Sequence, residues 1–375
     1  VRAYFDHNAT TPVANSVVEA MMPALTGVFG NASSIHGYGQ EARQLLERAR
    51  RQVAGLIGAK AEEVVFTSGG TEANNLALFG LVEEAVAAHF VSSAIEHPAV
   101  LNVLEELRAL GHEVTFLPVG EGGVVDPEDV RRALRSNTRA VSLMAINNEI
   151  GSLQPVREVA SIARAAGVFV HCDAVQAPGR MKIDVRELGI DLLSLSGHKL
   201  NGPKGVGALY VRKGVPLRKR TFGGHHERDR RPGTENVAGA VGLGAACEAV
   251  RLMDGSLRDR LEAGLLARIP DAFVNGDRVR RAPNVTNLRF PGIEGESLVI
   301  ALDMKGFAVS SGSACSSGSV EPSHVLLALG LSPADARSAI RYSLGLSNTV
   351  EEVDALIEAV AESVARLRKL SPVYV

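Results

Sequence analysis

Short apolar runs alternate with stretches of helical periodicity from about residue 13 to residue 250. Seven of the runs predict strands: Val64–Thr67, Phe90–Ser93, Glu113–Leu117, Ala140–Ala145, Val168–His171, Leu192–Leu195 and Gly207–Val211. Val64–Thr67 and the segment leading to Leu195 are apolar runs of the kind found in buried strands. Apolar residues spaced three and four apart predict helices at Ala14–Leu25, Gly39–Ile57, Pro98–Leu110, Pro127–Leu134 and Val156–Ala166, and from Ser68–Glu72 through Leu81. In the second of these, Glu47 and Arg51 stand four apart and are expected to pair. Strands alternating with helices imply a mostly parallel sheet covered on both faces, with ligands beyond the carboxyl ends of the strands. From about residue 251 the pattern changes to a helix at Leu257–Arg268, a strand at Asn284–Phe290, a Ser/Gly-rich loop at about 310–319 and a closing helix at Val350–Leu370. The expected organisation is therefore a large domain at 13–250 and a smaller α+β domain built from 1–12 and 251–375.

Composition narrows the class. The 375 residues are 46% hydrophobic and 22% charged with a formal net charge of −2, as in a globular protein with no pull towards nucleic acid. No apolar stretch has the length of a membrane span, and the first residues lack the apolar core of a secretory signal. Three scattered cysteines (Cys172, Cys247 and Cys315) supply neither a disulfide framework nor a four-ligand metal site. A cytoplasmic location and no bound metal are expected.

Candidate chemistry clusters at the predicted strand ends. Lys199 closes the run Ser194-Leu195-Ser196-Gly197-His198-Lys199, where a buried amine must lose its charge or find a partner. A desolvated lysine can form a Schiff base with a carbonyl cofactor. Asp173 follows the preceding strand and suits a protonated ring nitrogen. His97 and the Asn147-Asn148 pair follow two others, and Gly69-Gly70-Thr71 forms a strand-to-helix turn open to an anion. The phosphate-loop and dinucleotide glycine patterns are missing from these turns. Lysine, aspartate and anion turn together are what a pyridoxal phosphate site needs.

The segments Asp6–Thr11, Thr67–Asn75, Glu96–Val100, Asn147–Glu149, His171–Gln176, Ser196–Lys199 with Gly202–Gly205, and Arg231–Asn236 resemble cysteine desulfurases over essentially the whole chain. These are pyridoxal phosphate enzymes of the class V aminotransferase group. The resemblance implies an α/β fold of the aspartate aminotransferase type (fold type I), with a mostly parallel seven-stranded sheet in the large domain. It implies Lys199 as the Schiff-base lysine, Asp173 as partner of the pyridine nitrogen, Gln176 on the phenolic oxygen and His97 stacked on the ring. Gly70, Thr71, Ser196 and His198 would form the phosphate shell, joined across a homodimer interface by Thr234 of the neighbouring subunit. Asn148, Arg341 and Asn8 would hold the substrate, with Asn148 also near the cofactor.

Cys315, in Ser313-Ala314-Cys315-Ser316-Ser317, decides the reaction. A thiol among small polar residues is reactive, and as a thiolate it would take sulfur from L-cysteine as a persulfide, leaving L-alanine. The sulfur would then pass to an acceptor, an iron–sulfur scaffold or another thiol carrier. The loop resembles the long-loop branch of the family, group I. Cys172 and Cys247 lie in apolar contexts and read as structural. Alternatives are a selenocysteine lyase, another class V aminotransferase or lyase, or a non-catalytic dimeric homologue; the intact Lys199, Asp173, His97 and Arg341 set speaks against the last. His225 stands where the family has a glycine, Asp229-Arg230-Arg231 is more charged than the pattern, and Asn31-Ala32-Ser33-Ser34 lacks its usual proline; these departures fall on loop packing.

Overall fold

The computed structural model describes residues 2–83, 86–311 and 321–371. Seven strands form the main sheet in the spatial order Val64–Thr67, Gly207–Val211, Leu192–Ser196, Phe169–Asp173, Thr138–Met144, His89–Ser93, Glu113–Leu117. Only Gly207–Val211 runs against the others. The period of two along each strand sorts its side chains onto two faces. Val64, Phe66, Val141, Leu143, Leu193 and Leu195 face helices Gly37–Ile57, Val156–Ala165 and Val237–Ala249. Val65, Phe90, Ala140, Leu192 and Leu209 face helices Gly70–Gly80 and Pro98–Ala109. Both faces are covered, so the inner strands are buried along their length, while the edge strand Glu113–Leu117 is only partly so.

A second, four-stranded antiparallel sheet has the order Ser310–Ser311, Ala339–Ser343, Val285–Arg289, Phe273–Val274. Helices Ser256–Arg268 and Val350–Leu370 pack on it over a separate core that includes Leu261, Leu288, Phe290, Tyr342 and Leu356. The chain's first strand, Ala3–Tyr4, pairs in parallel with Phe307–Ala308. It then crosses towards the main sheet, with the Asn8 backbone N–H donating to Ser343 Oγ at 2.9 Å.

Three expectations change. Glu47 pairs with Arg50 at 3.1 Å, not with Arg51, which is exposed. The predicted loop at 310–319 begins as a strand, because Ser310 and Ser311 pair with Arg341 and Ile340. A helix at Val237–Ala249 joins those the spacing predicts. Its glycines deny it a propensity signal, and they are there for close packing: a Cβ at Gly244 would lie 2.8 Å from Ala49 Cα, and one at Gly242 2.8 Å from Pro203.

The loop after the main sheet is fixed by a buried carboxylate. Glu227 accepts from both terminal nitrogens of Arg50, at 2.6 and 2.8 Å, and from the Phe66 backbone N–H at 2.8 Å. It begins three consecutive left-handed residues, Glu227, Arg228 and Asp229, with φ of 46°, 56° and 62°, a conformation that non-glycine residues avoid. Replacing Glu227 with alanine takes the two-pronged partner from buried Arg50, leaving it only Glu47 on Nε and the Val64 carbonyl on Nη1. The expected loss is about 3–5 kcal/mol of unfolding free energy, read from the denaturant midpoint; a loss below about 1 kcal/mol would mean the pair is no clamp.

Candidate active site at the carboxyl edge of the sheet

Because their strands run the same way, Thr67, Ser93, Met144, Asp173 and Ser196 all end at one edge. The turns that follow enclose a cavity of about 310 Å³. Lys199 ends the 3₁₀ turn Gly197–Lys199 after the Leu192–Ser196 strand. Its Nζ donates to the backbone carbonyls of Asn8 at 2.5 Å and Ala9 at 2.7 Å. Burial, with the Arg341 and Arg180 charges nearby, lowers its pKa to about 7. His198, beside it, is lowered to about 4 by burial and by Lys199 and Lys204, and its Nδ1 meets Thr10 Oγ1 at 3.1 Å.

Asp173 is buried and held on both oxygens. Asn74 Nδ2 donates to Oδ2 at 2.8 Å, and the Val175 N–H to Oδ1 at 3.0 Å. Its carboxylate is thus aimed before any ligand arrives. His97 caps helix Pro98–Ala109, its Nδ1 accepting from the Ala99 N–H at 3.0 Å, so a neutral ring carries its proton on Nε2. Desolvation in the cavity lowers its pKa against the opposing pull of Asp173. The turn before it is pinned by Glu96, fully buried, which accepts from Ser93 Oγ at 2.9 Å and the Met144 N–H at 2.8 Å. Burial raises the Glu96 pKa to about 8, so at neutral pH it serves largely as an uncharged brace.

Arg341 reaches the cavity from the Ala339–Ser343 strand of the second sheet. Its Nη2 pairs with Asp6 at 2.7 Å, Nη1 donates to the Asn148 carbonyl at 3.2 Å, and buried Nε has no partner among the described residues. Asn8 ties both sides together, its Nδ2 donating to the Asn148 carbonyl and its Oδ1 accepting from Asn284 Nδ2, each at 3.0 Å. Gln176 donates to the Asn8 carbonyl at 3.0 Å and accepts from Arg180. At the other end, Gly70 opens helix Gly70–Gly80 beside Thr71 and Ser196. A Cβ on Gly70 would press within 2.7 Å of Val175 Cγ2, so glycine is what lets the helix N-terminus close onto the cavity.

All the predicted site residues among those described line this one cavity except Thr234, which is exposed in the loop at 230–236. Cys315 lies outside the described residues. Cys172 and Cys247 are buried, and burial raises both thiols, Cys247 to about 12. No group of metal-ligating side chains occurs among the described residues, and no described helix is long and apolar enough to cross a membrane. Four contributors escaped the sequence reading: Asp6, Asn74, Glu96 and Arg180. Asp6, Asn74 and Glu96 stand inside segments that carried the resemblance, but only their contacts reveal that they orient other side chains.

The chain matches the family model "Aminotransferase class-V" over residues 3–356. It is 46% identical to "Cysteine desulfurase IscS" of Dictyoglomus turgidum, covering 98% of this chain and 96% of that protein. The chain belongs to the cysteine desulfurase family. A further member, "Cysteine desulfurase IscS" of Methanosarcina thermophila, is 48% identical over 98% of this chain and 93% of its own. Among solved structures, a "NIFS-like protein" superposes with a TM-score of 0.91 at 37% identity, covering 98% of this chain and 100% of that one. The apo cysteine desulfurase of Thermococcus onnurineus gives 0.85 at 26% identity over 98% and 95%. The observed sheet and its smaller neighbour are the type I pyridoxal phosphate fold expected of this family.

Proposed function

We propose that this cysteine desulfurase converts L-cysteine to L-alanine through a persulfide on Cys315 and hands the sulfur to an acceptor protein. The observation that carries the reading is the convergence of Lys199, Asp173, His97 and Arg341 on one cavity. The cavity fits pyridoxal phosphate by the chemistry of its donors: a near-neutral amine, a preset carboxylate and a helix N-terminus that glycine lets close on an anion. When bound, the cofactor supplies an electron sink that acidifies the substrate's α-hydrogen and weakens its C–S bond.

The protein's residues divide the remaining work. Lys199 holds the cofactor and, as a neutral amine, can take and return a proton. Asp173 would keep the pyridine nitrogen charged, with Gln176 the residue for the phenolic oxygen. His97 would lie against the ring and, through Nε2, could assist proton transfer. Gly70, Thr71, Ser196 and His198 would hold the phosphate. Arg341 offers its fork to the substrate carboxylate beside Asn148 and Asn8, a role in which Asp6 shares its charge. The Cys315 thiolate forms a bond to the substrate sulfur as the C–S bond breaks; the electron pair stays with the carbon skeleton, which is protonated and leaves as alanine.

Thr234, exposed and outside the cavity, fits a role towards a second subunit's phosphate site, and with it a homodimer. The division into 13–250 and 1–12 plus 251–375, a cytoplasmic location and an iron–sulfur scaffold or thiol carrier as acceptor complete the proposal. The test is holoenzyme given L-cysteine and analysed by mass spectrometry. The expected products are alanine and one extra sulfur atom on the Cys315 peptide. Alanine formed with no sulfur on any Cys315 peptide would overturn the reading.

A further inference from the structure

Two turns that carry site residues, Ile95-Glu96-His97 and Asn148-Glu149-Ile150, are bridged by one short segment of the chain. It contains Ser323 and helix His324–Ala328. Ser323, buried, donates from Oγ to Glu149 Oε2 at 2.5 Å and accepts from the Leu326 N–H at 3.3 Å. His324 Nε2 meets the Glu96 carbonyl at 2.9 Å, which makes that nitrogen the donor. Beneath these bonds, Val325 and Leu326 are fully buried against Ile95 and Ile150. Polar and apolar contacts therefore land on the same two turns. Glu149 is itself buried, and its backbone carbonyl accepts from Asn287 Nδ2 at 3.3 Å. Nothing in the chemistry assigned so far uses Glu149, Ser323 or His324.

Their place in the chain gives the contacts a purpose. Ser323 follows Cys315 by eight residues, a tether of at most about 29 Å when fully extended. Fixing the tether's end raises the concentration of the thiol near the cavity and limits the orientations it samples. We propose that Ser323, His324 and Glu149 are positioning residues for the sulfur-abstraction step, anchoring the chain that bears Cys315 to the turns of His97 and Asn148. This rests on the reading of Cys315 as the nucleophile. The anchor acts on the approach of the thiol, not on the affinity for cysteine.

The experiment compares holoenzymes: wild type, Ser323→Ala, Ser323→Thr and the Ser323→Ala/His324→Ala double variant. Cysteine binding is followed by the change in cofactor absorbance, and sulfur on Cys315 by rapid quenching and mass spectrometry. The double variant is expected to form persulfide about 10- to 100-fold more slowly while half-saturating at the wild-type cysteine concentration. Ser323→Ala is expected to lose part of the rate and Ser323→Thr, which keeps the hydroxyl, to retain it. Should the double variant fail to fold, the Ala and Thr pair at 323 decides the matter on the same two readouts. Wild-type persulfide rates in the alanine variants, or equal losses of cysteine binding and sulfur abstraction, would overturn the anchor alone. A wild-type enzyme that gains no sulfur on Cys315 would overturn the nucleophile reading and the anchor with it.

Discussion

Lys199→Ala is expected to lower alanine formation at least about 10³-fold and to abolish covalent retention of the cofactor. The substitution removes the amine proposed to attach the cofactor and move the proton, while Asp173 keeps both of its own hydrogen bonds, so a weakly held cofactor can still enter. Gel filtration followed by an absorbance scan separates the two effects, and an activity within tenfold of wild type would exclude Lys199 from the chemistry. The wild type should show a pH dependence of the same origin. Only the neutral amine attacks a carbonyl, and the folded-state pKa is about 7. Cofactor uptake by the apoprotein should therefore level off above that pH and fall about tenfold per unit below it.

Cys315→Ser is expected to leave cofactor binding intact and to reduce sulfur release at least about 10²-fold. The hydroxyl is a poor nucleophile towards sulfur and cannot hold it as a persulfide. Cys172 and Cys247 offer no substitute, since burial keeps both as protonated thiols at neutral pH. Full activity in the serine variant, with dithiothreitol absent, would move the reaction towards a lyase that needs no thiol of its own.

The main sheet was legible because burial on both faces leaves an unmistakable run of apolar residues, and because each turn that follows carries its chemistry in sequence order. The second sheet was less so. One of its two inner strands, Ala339–Ser343, mixes apolar and polar residues without alternating, although it delivers Arg341 to the cavity. Glycine-rich Val237–Ala249 is buried nearly all round against two other helices, so it has no polar face to betray a helical period. Arg341 itself was placed by resemblance, but its ion pair with Asp6 spans 335 positions and no local pattern could signal it. The same holds for Asn74 on Asp173, 99 positions away. Lys199, Asp173 and His97 left signatures at strand ends; Asn74 and Asp6, which hold other side chains in place, did not.

The backbone carbonyls of Asn8 and Ala9 meet Lys199 across about 190 positions, and the Asn8 N–H meets Ser343 across 335. During synthesis the Lys199 bonds can form once that residue has emerged, but the Asn8 N–H must wait for Ser343, made 335 residues later. Contacts of such sequence separation form late and slowly. The main sheet can assemble while the pocket floor is still missing, so a nascent chain acquires its framework well before it can retain its cofactor. Supply of pyridoxal phosphate then matters once the strand bearing Arg341 and Ser343 has joined the segment of Asp6 and Asn8.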